Sequence, residues 1–246
     1  MIINSIMKTV ISEDYSQHAD FLRSIPNLFA DGQGEVVYSK RNEIRRFSHQ
    51  GLTLMAKRYK RVNVLQRVVY TFFRPTKAER AYRFAKEFRL RGIDTPREVA
   101  YIETGSMGLF SVGYFISLET EGVETYLLLR EVENFSHSLA DAVAAHVLKM
   151  HSKGILHGDL NLSNFLCSER PDGYHFTMID INRSHFRDGM PSNEECLDNL
   201  VRTTHRRDLY EYLVRSYARQ RGWNEDTTAA KALQLLDNFE NRRLRL

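Results

Sequence analysis

The chain has 246 residues, enough for one large domain or two modest lobes around a buried core. Hydrophobic content of 42% beside 27% charged residues excludes a disordered chain, and no run approaches 18 consecutive apolar residues, which excludes a membrane-spanning helix. The formal charge of +4 is unevenly spread: from Lys40 to Arg91 there are 16 Lys or Arg against three acids, a field that attracts a polyanion such as phosphorylated lipid, nucleic acid or nucleotide.

The N-terminal stretch MIINSIMKTVISEDY has no charged region followed by a long apolar core, so no signal peptide is expected. Cys167 and Cys196 offer neither metal spacing nor a disulfide framework, and a reducing cytoplasm fits them. GEVVY (34–38), IRRF (44–47) and LTLMAKRY (52–59) read as a three-stranded meander with the short turns SKRNE and SHQG. The stretch VNVLQRVVYTFFRP (62–75) reads as packing, or as an apolar face framed by arginines that rests on a lipid surface. TKAERAYRFAKEFRLRG then carries Ala78, Tyr82, Ala85 and Phe88 at helical spacing, with Gly92 as a stop and Pro96 beyond it. EVAYIE (98–103) and SVGYFISLE (111–119) add two strands around the turn TGSMG. The expectation is a small lobe of five antiparallel strands and one helix.

After Glu121 the pattern turns helical. SLADAVAAHVLKMHSKG (138–154) sets Leu139, Val143, His146, Val147 and Met150 near one face, with Gly154 suited to the C-cap. FLC (165–167) and HFTMIDI (175–181) form a hairpin around RPDG, and residues 194–246 are mostly charged amphipathic helix. Nothing repeats internally. The expected division is a lobe at 1–118 and a lobe at 119–246, meeting at the strand end between Ser117 and Gly122.

The chemical signal sits in HGDLNLSNFL (157–166), where His157, Asp159 and Asn164 fall at i, i+2 and i+7. Asp180 ends the apolar strand FTMI, where a carboxylate has little reason to be unless it meets an ion. Upstream, Lys57 interrupts an apolar strand, and Glu79 lies near the start of the first helix. Strand lysine, helix glutamate, H-x-D-x-x-x-x-N and strand-end aspartate follow the protein-kinase layout in order. Phosphoryl transfer needs positioning and charge neutralisation more than covalent chemistry, and these residue types supply both. A lysine holds phosphates, a glutamate orients it, and Asp159 takes the proton of an acceptor hydroxyl. Asn164 and Asp180 offer the hard oxygens that Mg²⁺ prefers. Each residue also has a plain structural role. Lys60 rivals Lys57 and Glu87 rivals Glu79; Asn164 suits a turn and Asp180 a strand-end cap. His157 reads as a structural loop residue, since Asp159 already fills the role of base.

The chain resembles the Kdo/WaaP-type lipopolysaccharide kinases, bacterial kinase-like enzymes acting on inner-core sugars. The resemblance rests on YSKRNEIRRF (38–47), LMAKRYK (54–60), RPTKAERAYRFA (74–85), GIDTP (92–96), KGILHGDLNLSNFL (153–166) and FTMIDINRSHF (176–186), and covers most of the chain. It implies an α+β, two-lobed protein-kinase-like fold with a mainly helical C-lobe. It implies Lys57 and Glu79 as the nucleotide anchor, Asp159 as base, and Asn164 and Asp180 as Mg²⁺ ligands. ATP is then the donor, and Kdo or a related sugar on a lipid A precursor is the acceptor. Lys40, Arg41 and Asn42 in the first turn, and Ser117, Leu118 and Glu119 at the strand end, complete the expected nucleotide contacts.

The sequence also departs from the kinase pattern. No G-x-G-x-x-G is present, so the turn Ser39 to Glu43 stands where a phosphate-covering loop belongs. Gly158 replaces the arginine of H-R-D, Asp180-Ile181-Asn182 replaces D-F-G, and no A-P-E follows. No activation-loop switch is expected, and little platform is left for a peptide, which favours a small or lipid-linked acceptor. Aminoglycoside and choline kinases share H-G-D, but their cationic acceptors call for acids where this chain is basic. A RIO-type kinase beside RNA would bind RNA tightly and structure-selectively; a pseudokinase would bind Mg·ATP without transfer. The expected partners are ATP, the lipid-linked sugar and an anionic membrane surface on the cytoplasmic side, with no specific nucleic acid.

Overall fold

The computed structural model describes residues 5–130 and 133–244. The first four residues of the N-terminal stretch, and Arg245 and Leu246 of the helical tail, lie outside this range. The chain divides into two compact units: residues 1–87 with 96–120, and residues 88–95 with 121–246.

The first unit is built on one antiparallel sheet. Its elements in chain order are β1 (Ser5–Ile11), α1 (Ala19–Ala30), β2 (Glu35–Ser39), β3 (Glu43–His49), β4 (Leu52–Arg58), α2 (Val64–Phe72), α3 (Lys77–Leu90), β5 (Glu98–Ser106) and β6 (Leu109–Leu118). The strand order is β1-β5-β6-β4-β3-β2. The five expected strands are all present, and β1 adds a sixth at the edge of β5. The helices α1 and α2 are further additions to the one expected, α3.

Both faces of this sheet are covered. Leu22, Ile25 and Phe29 of α1, at helical spacing, pack with Leu54 and Ala56 of β4, Ala100 and Ile102 of β5, and Ile116 of β6. Period-2 alternation sends the neighbouring residues to the opposite face, where Tyr101 and Phe115 join Tyr59, Ala78 and Ala81 of α3. Small alanines at 78 and 81 keep the helix close to the sheet. Gly92, at φ 74°, ends the turn after α3, where a side chain would be strained.

The second unit contains β7 (Val123–Glu124), α4 (Thr125–Leu129), α5 (His137–Ser152), β8 (Ile155–Leu156), β9 (Phe165–Arg170), β10 (Gly173–Met178), β11 (His185–Phe186), α6 (Asn193–Leu200), α7 (Arg207–Arg221) and α8 (Glu225–Leu244). Ser136 caps α5 by accepting from the Leu139 N–H, and the helix buries Leu139, Val143, Val147 and Met150. α7 packs on α5 and buries Leu209, Leu213, Val214 and Tyr217. β9 and β10 pair antiparallel, with Phe165 opposite Met178, and β7 extends that ribbon. The short pair β8–β11 sets Leu156 opposite His185. These two ribbons frame the loop that carries the H-G-D motif.

Candidate active site

In the first unit, Lys57 lies on β4 between Ile44 of β3 and Phe115 of β6. Its neighbour Ala56 faces α1, so alternation turns Lys57 to the α3 face of the sheet. Its Nζ stands 5.5 Å from the centre of the Tyr59 ring, and Tyr59 packs against α3. Lys60 lies beyond the strand, where its backbone N–H donates to Asn42 Oδ1 at 3.2 Å. Strand geometry therefore favours Lys57 over Lys60 as the residue that shares a face with α3.

Glu79 occupies the first turn of α3, where Thr76 accepts its backbone N–H at 3.1 Å. A carboxylate there is favoured by the helix dipole. Its side chain receives Lys8 Nζ at 3.1 Å, and Arg83 lies 3.6 Å away. Sequence reasoning missed Lys8, because β1 itself was not read as a strand. Burial acts to lower the Lys8 ammonium, but hydrogen bonds to Tyr101 and Glu79 outweigh it and hold the group above its ordinary value. Beside this pair, burial pushes the Glu103 carboxyl up while the Thr76 hydroxyl donates to it at 2.6 Å.

The expected phosphate-covering turn is tight. The Lys40 N–H donates to the Asn42 carbonyl at 3.1 Å. A cavity of about 720 Å³ lies beside this turn, lined by Lys40, Arg41, Asn42, Lys60 and Arg61 and by α1 residues, but not by Lys57. At the end of β6, Ser117 is buried opposite Met55. The Leu118 N–H donates to Arg97 O and the Glu119 N–H to Thr53 O, both at 2.9 Å, so the sheet engages both donors. The Glu119 carboxylate pairs with Arg46 at 2.6 Å.

In the second unit the H-G-D loop is held from several sides. His157 is fully buried, and burial pushes its imidazole pKa down. Nδ1 accepts the Asp159 N–H at 3.1 Å, which leaves Nε2–H to donate to Ile179 O at 3.0 Å. His157 is a bracket between the loop and the strand end before Asp180. On its other side, Asn199 Nδ2 donates to His157 O at 2.7 Å, and Asn199 Oδ1 bonds His151 Nε2 at 3.1 Å. His151 in turn meets Tyr217 OH at 2.9 Å. Asn199 carried no motif signal; only the fold brings α6 to this loop.

Asp159 keeps its carboxylate accessible, with 41% of the side chain exposed. Asn164 Nδ2 donates to Asp159 O at 2.8 Å, which fixes the amide and leaves its oxygen as the acceptor end. The Ile179 N–H donates to Asn164 O at 3.0 Å, so Asn164 and Asp180 stand side by side just past the paired ends of β9 and β10. Asp180 adopts a left-handed conformation, φ 56° and ψ 37°, which costs a non-glycine residue about 1 kcal/mol or more. Asn182 Nδ2 donates to Asp180 Oδ1 at 2.9 Å. The structure thus brings together Asp159, Asn164 and Asp180. An amide oxygen and a carboxylate fit a Mg²⁺ ion that takes its remaining ligands from phosphate and water. Among the described residues no group of three or more His, Cys, Asp or Glu is arranged for a metal, so a stand-alone protein cage is not the pattern here.

Two further features complete the loop. A Cβ on Gly158 would lie 2.0 Å from the Arg183 carbonyl, so the backbone after Asp180 occupies the place where a side chain would start. That packing is why glycine stands where H-R-D has arginine. Arg183 also places its guanidinium 4.0 Å from the Asp159 carboxylate. It is a residue the sequence reading passed over, although it lies in the quoted IDINR run.

A WaaP structure, solved in complex with acyl carrier protein, superposes with a TM-score of 0.63 over 97% of this chain and 99% of that one, at 18% identity. This is the protein-kinase-like fold, with a mixed sheet-and-helix unit and a mainly helical one. Two curated 3-deoxy-D-manno-octulosonic acid kinases, from two strains of Vibrio vulnificus, are each 24% identical over 157 residues. That match covers 62% of this chain and 65% of the relatives' length. The sequence profile described as the lipopolysaccharide kinase (Kdo/WaaP) family spans residues 28–239, which includes every site residue expected from the sequence. The chain belongs to the lipopolysaccharide kinase (Kdo/WaaP) family.

Proposed function

We propose that this protein is a Mg²⁺- and ATP-dependent kinase that phosphorylates a hydroxyl of Kdo or heptose in the lipopolysaccharide inner core. The observation that carries this reading is the loop His157 to Asn164. Its one exposed carboxylate, Asp159, is held rigidly by His157 and Asn164 beside the left-handed Asp180. Such fixing is what a transfer reaction dominated by positioning requires.

The roles follow from the chemistry of each group. Asp159 accepts the hydroxyl proton of the acceptor as its oxygen bonds the γ-phosphorus of ATP and the bond from that phosphorus to the β–γ bridging oxygen breaks, releasing ADP. Lys57 binds the α and β phosphates of ATP, and Glu79 orients it from α3. Asn164 and Asp180 hold Mg²⁺, which when bound neutralises charge on the phosphate oxygens. Asn182 steadies Asp180 through its 2.9 Å hydrogen bond. Backbone groups of Lys40, Arg41 and Asn42 cover the phosphates, with the Lys40 N–H already used inside the turn. At Leu118 and Glu119 both N–H groups serve the sheet, so these positions offer the nucleotide their carbonyls. Arg183, beside Asp159, is placed to meet an anionic acceptor such as an acidic sugar.

The acceptor is still attached to its lipid anchor, so the reaction takes place peripherally at the inner face of a membrane. The basic block lowers the cost of approaching anionic lipid by about 1 kcal/mol per nearby Lys or Arg. The test is purified protein with γ-labelled ATP and separate acceptors: Kdo-lipid A, heptosylated core and protein extract. Label on a core sugar, placed by mass spectrometry, is the expected result. Label on protein alone rejects the reading.

A further inference from the structure

We infer that α2 and the tip of the β5–β6 hairpin form the membrane-docking surface of this protein, for an anionic phospholipid bilayer. The inference deepens the proposed reading, since it rests on a lipid-linked acceptor, and it concerns the first unit alone.

The 9-residue helix α2 buries none of its residues. One face is pinned to the hairpin by polar groups at helical spacing. Arg67 Nε donates to Phe110 O at 2.8 Å and Arg67 Nη2 to Ser106 O at 2.7 Å, while Thr71 Oγ1 accepts the Phe110 N–H at 2.9 Å. Tyr70 meets the Phe110 ring edge-on at 5.8 Å. Residues i, i+3 and i+4 therefore face the sheet, and the other side of the helix is left to Leu65 and Phe72, with Val64 exposed at the helix start. Val64, Leu65 and Phe72 are 70%, 75% and 66% exposed, and Phe73 just beyond is 77% exposed. At the hairpin tip that Arg67 grips, Met107 is 91% exposed. Five large apolar side chains on two joined elements exceed the scatter of single exposed apolar residues on an ordinary surface.

The charge around this patch names the occupant. Between Tyr59 and Glu79 the chain has five Lys or Arg and no acid. Lys60 and Arg61 precede the helix, and the exposed Arg74 follows it. An apolar face with cations at both ends and inserted aromatic side chains is the pattern of a helix lying in a lipid interface. At 9 residues it is about 14 Å long, far too short to cross a bilayer. No described helix is long and apolar enough to do so. The strong grip of Arg67 and Thr71 lets the helix carry docking force into the sheet.

The test is sedimentation of the full-length protein with vesicles of phosphatidylcholine alone and of phosphatidylcholine with phosphatidylglycerol, at low and high salt. Wild type is expected on the anionic vesicles, released by salt. The variant Leu65→Ser/Phe72→Ser/Phe73→Ser is expected to bind roughly tenfold more weakly or worse. Arg74→Glu, a single change at an exposed position, is expected to weaken binding too, and serves if the triple variant loses its fold. Both should phosphorylate a water-soluble deacylated core sugar at the wild-type rate, and lose rate only on vesicle-embedded acceptor. Anionic-vesicle binding unchanged in both variants overturns the inference, as does equal binding to neutral vesicles. Capture of an acidic soluble protein through α2, without vesicle binding, also overturns it. Absence of any sugar phosphorylation would instead defeat the kinase reading and leave the sedimentation result standing.

Discussion

Asp159 is exposed at its carboxylate and tied down at its backbone, a combination that separates chemistry from structure. Asp159→Ala is expected to abolish phosphoryl transfer while the thermal midpoint and nucleotide binding stay near wild type. Retained turnover would remove Asp159 from the role of base. Gly158 is the opposite case. A Cβ there meets the Arg183 carbonyl at 2.0 Å, so Gly158→Ala forces the backbone apart and is expected to destabilise by about 2 kcal/mol or more in urea unfolding. A neutral Gly158→Ala would show that this packing can relax. The motif letters H-G-D were legible in sequence, and so was the hairpin of FLC and HFTMIDI that follows Asn164. The roles of Gly158 and Arg183 were not, because a close backbone approach leaves no mark on composition or spacing. Arg183→Gln tests the acceptor side: KM for an acidic sugar should rise about tenfold with kcat less affected. An unchanged KM would assign Arg183 to structure alone.

At the scale of elements, the α5 helix carries two histidines, the half-buried His146 and the buried His151, that link stability to pH. His146 lies against the rings of Phe165 and Phe176, with Lys149 nearby; His151 bonds Asn199 and Tyr217, with Arg221 nearby. Burial is the largest influence on both and pushes each from 6.5 down to about 4. The unfolded chain therefore takes up protons near pH 6.5 that the folded one refuses until about pH 4. Stability is complete above pH 6.5 and falls as pH drops through that window, by on the order of 3 kcal/mol for each group at its lower end. Urea unfolding at neutral and mildly acidic pH checks this, and equal midpoints would contradict it. Elements with a regular pattern, such as α3 and α5, were legible from periodicity. β1 was not, because its register shifts between Ile6 and Lys8 and its apolar residues do not alternate cleanly. α1 hides behind Pro26, which sits inside the helix and reads as a breaker, although Leu22, Ile25 and Phe29 still bury a face. α2 is rich in valines and aromatics, poor helix formers, so its stretch reads as packing or as an apolar face on lipid and not as a helix. Because β1 went unread, so did the Lys8–Glu79 pair.

For the whole molecule, Lys57 and Glu79 lie in the first compact unit, and Asp159, Asn164 and Asp180 in the second. Charge is divided as unevenly as chemistry, with the basic block confined to residues 40–91. Exposed charge of this kind acts over about 8–10 Å at moderate salt, so activity on membrane-bound acceptor should fall with ionic strength while activity on soluble acceptor should not. The measurement that bears most directly on the central claim is transfer of γ-labelled phosphate from ATP to Kdo-lipid A, with Asp159→Ala beside the wild type. Mg²⁺-dependent label on an inner-core sugar hydroxyl, lost in the variant, is the predicted result. Nucleotide binding without transfer to any core sugar, or transfer that Asp159→Ala leaves intact, would contradict it.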